Sequence, residues 1–213
     1  MMDKKIVSVD PVAPEPDCIV KAGKILRKNG IVIFPAKCLY GIGANALDET
    51  AIKKVFHLKQ RPWNKPILVL IPDRTWLADL VVSLSRHANK LMDAFWPGNI
   101  TLVFEAKTHI SKFLTAKTCK IGIRIPAHPV AKALIEYVNF PITGTSANLS
   151  GESGCYKIDQ LSSVLTDQAD LVLDAGRLKG GMGSTIVDVT VSPVAIIREG
   201  EILTGQINEI LKN

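Results

Sequence analysis

No stretch of this chain stays apolar long enough to cross a bilayer; its longest hydrophobic runs have the length of a β-strand. The N-terminus, MMDKKIVSVDPVAPEPD, lacks the hydrophobic core of a secretory signal. The four cysteines (Cys18, Cys38, Cys119 and Cys155) form no C-x-x-C pair, and no histidines cluster. Neither a structural zinc nor a disulfide framework is expected, and a reducing cytoplasm is the natural setting. There is no run of like charge long enough for a nucleic-acid tail and no aromatic RNA-stacking motif. The G-x-x-x-x-G-K-[ST] string is missing, which excludes a P-loop. A G-x-G-x-x-A string occurs at Gly41–Ala46, but six residues, including Pro35, separate it from the preceding strand. A dinucleotide fingerprint needs its turn directly after the strand, so that reading is set aside.

What is present is a chain of 213 residues, 47% hydrophobic and 22% charged, the balance of a globule with a sizeable core. With no internal repeat, low-complexity tract or linker, it reads as a single domain over 1–213, with an edge segment at 1–15 and a C-terminal helix at 201–213. The 26 basic against 20 acidic residues leave a charge of +6, which favours nucleotide, phosphate or RNA partners and says nothing about fold.

Strands are predicted at Ile6–Val9, Ile31–Phe34, Ile67–Ile71, Thr101–Phe104, Ile121–Ile125, near Ile142, and at Leu171–Leu173, Thr185–Val189 and Val194–Ile197. Helices are predicted after caps at Asp17 and Asp48, from Asp73 and Ser85, from Pro129 through Val138, near Ile158–Leu165, and around Ile207, Ile210 and Leu211. Leu77, Leu80, Val81 and Leu84 are the expected core of the Asp73 helix, and Tyr40 to Gly43 reads as a glycine turn. Strands that are both helix-separated and hairpin-linked indicate the α+β (α/β) class: a twisted mixed parallel/antiparallel β-sheet flanked by helices.

Several positions carry chemistry. Ile52, Val55 and Phe56 form one helical stripe and Lys59 falls within it, whereas Lys53, Lys54 and His57 point the other way. A lysine on the apolar side is costly unless its ammonium reaches a partner or water. Either it complements the helix C-terminus, or, with Arg61 and Lys65 close behind, it belongs to a phosphate site. In Ile121–Ile125 three isoleucines face one way and Gly122 and Arg124 the other, so Arg124 is either solvated or aimed at a ligand for which the glycine leaves room. The hydroxyl-rich run Thr143–Ser150 reads as pocket donors or as caps and Asx-turns. Gly180–Ser184 reads as a flexible loop or as amides for an anion, and Arg198-Glu199-Gly200 is equally ambiguous.

Taken in order, these motifs identify the chain as similar to the YrdC-like family, whose characterised members are threonylcarbamoyl-AMP synthases of tRNA modification. The resemblance runs from about Ile31 to Gly200. It rests on YGIGANALD, on Lys59-Gln60-Arg61-Pro62 with Lys65-Pro66, on WPGNITLVF from Trp96 and GIRIPAHP from Gly122, and on TSANLSGE from Thr145, GSTIVDVT from Gly183 and REG from Arg198. The resemblance implies the short single-domain form without an added C-terminal domain. It implies ATP-dependent synthesis of L-threonylcarbamoyladenylate from L-threonine and bicarbonate or carbon dioxide, releasing pyrophosphate. A tRNA-threonylcarbamoyl transferase then uses the product. By this resemblance Lys59 and Arg61 are catalytic. Arg61, Lys65, Ser146, Asn148 and Arg198 bind ATP, while Cys38, Tyr40, Arg124, Gly144 and Ser184 bind threonine. Mg2+ arrives with the triphosphate, without a dedicated metal site.

The chain departs from the family's usual P-T-[DE]-T-[VS]-Y-G at Pro35-Ala36-Lys37-Cys38-Leu39-Tyr40-Gly41. Two hydroxyls are gone, a lysine replaces an acid, and a thiol, the poorer donor, replaces a threonine. Leu70 likewise stands where some members carry a polar residue. These changes raise a second reading, a paralogue with the same chemistry and a different acceptor. A third, from another class, is a double-stranded RNA or tRNA-binding module whose affinity would fall steeply with salt.

Overall fold

The computed structural model describes residues 5–212; positions 1–4 of the expected edge segment and Asn213 of the C-terminal helix lie outside the described residues. The strands are mixed parallel and antiparallel, as the sequence predicts, and they divide between two sheets. One sheet has the order β1 (Ile6–Ser8), β9 (Leu171–Asp174), β2 (Val32–Pro35), β3 (Tyr40–Gly43), β8 (Thr145–Ser146). The other has the order β11 (Ala195–Arg198), β10 (Thr185–Asp188), β5 (Ile100–Glu105), β6 (Lys120–Arg124), β4 (Val69–Leu70), β7 (Ile142–Thr143). Helices α1 (Pro16–Arg27) and α6 (Pro129–Val138) cover the first sheet, burying Ile19, Ala22, Leu26, Val130, Ala131 and Leu134 against Val32, Phe34, Leu171 and Leu173. A larger core joins α2 (Glu49–Leu58), α4 (Arg86–Phe95) and the short α5 (Lys112–Thr115) to both sheets.

Side-chain caps set several helix starts. Asp48 accepts from the Ala51 amide at 2.9 Å and Ser85 from the Ala88 amide at 3.1 Å, as their sequence positions predict. Helix α1 starts earlier than expected: Pro16 takes its first turn, where a missing N–H costs nothing, and Glu15 rather than Asp17 is the cap residue. The Asp73 segment is a 3-10 turn, Arg74–Trp76, followed by a short α3, Leu77–Leu80. The chain turns extended at Val81, so the helical period stops and Leu84 lies 43% exposed instead of in the core. Ile158–Leu165 likewise splits into a 3-10 turn at Ile158–Gln160 and helix α7, Ser163–Gln168. Of Ile67–Ile71 only Val69 and Leu70 join a ladder. A last helix, α8 (Thr204–Lys212), packs on α4 and buries Ile207.

Two glycine sites connect fold and function. Tyr40–Gly43 is a buried strand, not a turn; a Cβ on Gly43 would stand 2.8 Å from the Phe34 ring, so the glycine makes space for packing. At Gly144 the chain steps from β7 in one sheet to β8 in the other, its amide donating to the Leu68 carbonyl at 2.8 Å. A Cβ there would meet Leu70 Cγ at 2.6 Å and Leu68 Cδ1 at 2.7 Å. Gly144→Ala should therefore destabilise the protein by about 1–3 kcal/mol through overpacking at the sheet junction. Urea denaturation reads this directly, and an unchanged midpoint would show that the junction can relax.

Candidate active site

A cavity of about 730 Å³ opens where the two sheets meet. Arg61, Arg124, Arg198, Ser146, Ser184, Gly144, Cys38 and Tyr40 all line it, although they come from separate parts of the chain. Lys59, Lys65 and Asn148 do not line it.

Helix α2 ends in a Schellman turn. The Arg61 amide bonds to the Phe56 carbonyl at 2.9 Å, the Gln60 amide bonds to the His57 carbonyl at 3.0 Å, and Gln60 has φ of 50°. The turn sends Lys59 inward and Arg61 toward the cavity. Lys59 is 1% exposed, and its ammonium donates to the carbonyls of Ser146 and Asn148 and, at 3.4 Å, to Asn148 Oδ1. Burial, with Arg61 nearby, pulls its pKa down to about 7, while three oxygen acceptors match the three N–H groups of the charged form. Lys59 thus acts on the cavity through the 146–150 loop, whose Ser150 amide also bonds to its carbonyl at 2.9 Å. Asn148 is spent on the same loop, its amide donating to the carbonyls of Leu149 at 2.8 Å and Glu152 at 2.7 Å. Arg61 braces its own loop through the carbonyls of Lys65 at 3.2 Å and Pro66 at 2.7 Å; Lys65 is exposed.

Arg124 lies on β6 with its side chain opposite the buried isoleucines, and Gly122 lines the cavity two positions before it. Arg124 is only 9% exposed, and among the described residues its guanidinium makes a single hydrogen bond, from Nη1 to Asn99 Oδ1 at 3.4 Å, and its Nε has no partner. Burial pulls its pKa down to about 10, with Arg198 adding to the effect, which leaves a full positive charge at neutrality. A buried, under-bonded guanidinium on a cavity wall is a receptor for an anion. Ser184 Oγ lies 2.8 Å from Thr101 Oγ1, and Arg198 Nη2 donates to the Ser184 carbonyl at 2.6 Å. Tyr40 presents its ring. Its hydroxyl instead donates to the Gly176 carbonyl at 2.7 Å and accepts from the Ala175 amide at 3.0 Å, and burial raises its pKa.

Two residues at this end were not singled out from the sequence. Asn99 lines the cavity between Arg124 and Cys38, and Glu201 lies behind it, 3.7 Å from Cys38 Sγ and ion-paired with Lys37 at 3.3 Å and Lys179 at 2.9 Å. Asn99 had a weak signal, a polar side chain directly before an apolar strand. Glu201 had none, because its partners Asn99 and Cys38 are 102 and 163 positions away. Burial and the Glu201 charge raise the Cys38 thiol, keeping it neutral. Burial alone would raise Glu201 too, but hydrogen bonds from Lys179 and Asn99 and the charge of Lys37 hold it down to about 2. A depressed carboxyl adds stability that is whole above its ordinary value of 4.5 and lost as pH falls through the folded value. The stability gap between wild type and Glu201→Gln should thus be constant above about pH 5 and shrink toward about pH 2. Denaturation at several pH values checks this; a gap independent of pH would show that the carboxylate is not held there.

An anion-accepting cleft of nucleotide size, set at the junction of two mixed sheets, is the class these features define. Residues 24–200 match the Sua5–YciO–YrdC family model, described as telomere recombination, and the chain belongs to this family. It is 32% identical over 190 residues to threonylcarbamoyl-AMP synthase of Pyrococcus abyssi, covering 89% of this chain and 56% of that protein. It is 36% identical over 194 residues to threonylcarbamoyl-AMP synthase of Bacillus subtilis, covering 91% of this chain and 56% of that protein. This chain therefore spans little more than half the length of these relatives. The crystal structure of P. abyssi Sua5 complexed with L-threonine superposes with a TM-score of 0.92 at 31% identity, covering 97% of this chain and 60% of that one.

Proposed function

We propose that this chain is an enzyme, a nucleotidyltransferase that makes L-threonylcarbamoyladenylate from L-threonine, bicarbonate or carbon dioxide, and ATP. The observation that carries the reading is Arg124, a buried cation with one long hydrogen bond on a wall shared with Arg61 and Arg198. The relatives' names and the threonine complex support the same substrate. The threonine amine adds to carbon dioxide, drawn from bicarbonate, and loses a proton to become a carbamate. A carbamate oxygen then attacks the α-phosphorus, the bond from that phosphorus to the bridging oxygen breaks, and pyrophosphate leaves with the electron pair. Such a displacement needs charge and in-line placement rather than a protein nucleophile.

Arg124 grips the threonine carboxylate beside Ser184 and Cys38. Arg61 and Arg198 neutralise phosphate charge, and Ser146, held by the Lys59-anchored loop, turns its hydroxyl from Asn148 Oδ1, its present acceptor, to the nucleotide. Magnesium would arrive on the triphosphate and supply charge there, with Arg61 and Arg198 on the same wall. The adenylate passes in the cytoplasm to a tRNA-threonylcarbamoyl transferase.

Pyrophosphate release should require ATP, bicarbonate and L-threonine together; release that persists without the amino acid sinks the assignment. Ala36, Lys37 and Cys38 on the cavity wall favour a second reading, the same chemistry on another amine. An amino-acid panel in the same assay separates the two, since serine or another amine clearly outperforming threonine would select the second.

A further inference from the structure

Asn99 is the one hydrogen-bond partner of the Arg124 guanidinium among the described residues, and its amide stands between two charged groups of opposite kind. On one side the Arg124 guanidinium has only donors, and on the other the Glu201 carboxylate has only acceptors. Only one orientation of the amide satisfies both, with Oδ1 toward Arg124 and Nδ2 toward Glu201. The second Nδ2 hydrogen has the Cys38 sulfur at 3.5 Å. Asn99 is 4% exposed, so water cannot readily substitute for either partner. Glu201 does not line the cavity, and its carboxylate otherwise meets the Cys38 thiol at 3.7 Å and the ammonium groups of Lys37 and Lys179.

We infer that Asn99 and Glu201 are positioning residues that aim Arg124 at the substrate carboxylate. The carboxylate locks the amide, and the locked amide oxygen holds Nη1. The remaining guanidinium donors, which have no partner among the described residues to orient them, are thereby set in place for the incoming anion. This rests on the proposed reading that Arg124 grips an amino-acid carboxylate. A merely structural Glu201 would tie the rim loops together through Lys37 and Lys179, and its loss would show in stability rather than in recognition.

The test is titration calorimetry of the full chain with L-threonine and with L-threoninamide, which lacks the carboxylate charge, alongside pyrophosphate release. Wild type should prefer the acid. Glu201→Gln keeps the shape but can present either face of its amide to Asn99, so affinity for L-threonine should fall about tenfold with affinity for the amide unchanged. The KM for threonine should rise in parallel, with kcat and the KM for ATP held within about twofold. Asn99→Ala should lose the same discrimination and serves as the second variant should Glu201→Gln fold poorly. Lys179→Ala, which removes only an exposed ion pair, should bind as wild type. If both Glu201→Gln and Asn99→Ala keep the wild-type preference for the acid, the inference falls alone. A wild type that shows no preference overturns it together with carboxylate recognition by Arg124. A wild type that prefers the acid yet releases no pyrophosphate removes the proposed reaction, while the titration still decides the positioning claim.

Discussion

Arg124→Met is expected to lower kcat/KM for the amino acid by at least about a hundredfold while raising the stability of the folded chain. Both effects have one cause. Among the described residues the buried guanidinium has a single 3.4 Å hydrogen bond and an Nε without a partner, so its desolvation is poorly offset. An apolar side chain of similar length removes that cost, and replacements of poorly compensated buried charges gain about 1–4 kcal/mol. The carboxylate of the substrate supplies the missing partner only in the complex, through charge-assisted bonds of about 1.5–3 kcal/mol each. Thermal unfolding and pyrophosphate release on the same preparation read the two halves. A variant that loses stability together with activity would show that Arg124 is a structural strut.

Lys59→Met should give the opposite pairing, with stability and ATP use both lost. Here the cation is fully engaged, since its ammonium holds the carbonyls of Ser146 and Asn148. Removing it leaves these two buried carbonyls unsatisfied, at about 1–3 kcal/mol each, so a loss of about 2–6 kcal/mol is expected. The freed 146–150 loop no longer presents Ser146 to the cavity, and the KM for ATP should rise about tenfold or more. Urea denaturation and initial rates over a range of ATP check the pair. If Lys59 instead touched substrate directly, kcat would collapse with little change in the denaturation midpoint.

The contrast between these two cations shows how far local pattern reaches. The apolar stripe of α2 made Lys59 conspicuous because a buried ammonium must find partners. It could not say that those partners would be carbonyls of a loop more than eighty residues later. Alternation along β6 put Arg124 opposite three isoleucines, yet left open whether that face met water or a cavity. At Tyr40–Gly43 the glycines carry the local signal of a turn, whereas in the fold one of them clears space for Phe34. Periodicity places Leu84 in the core because it does not reveal where the helix stops.

Composition, periodicity and caps were enough to establish a mixed α/β chain and most of its strands and helices, and the resemblance carried by its ordered motifs pointed to the family. These are properties of neighbours along the chain, set by backbone geometry and by which side chains avoid water. The division into two sheets, the crossing at Gly144, the retreat of Lys59 and Asn148 behind the cavity wall, and the bridge from Glu201 through Asn99 to Arg124 emerged only in three dimensions. Each depends on polar groups far apart in sequence satisfying one another where water is excluded, and no local pattern encodes which distant donor will meet which acceptor.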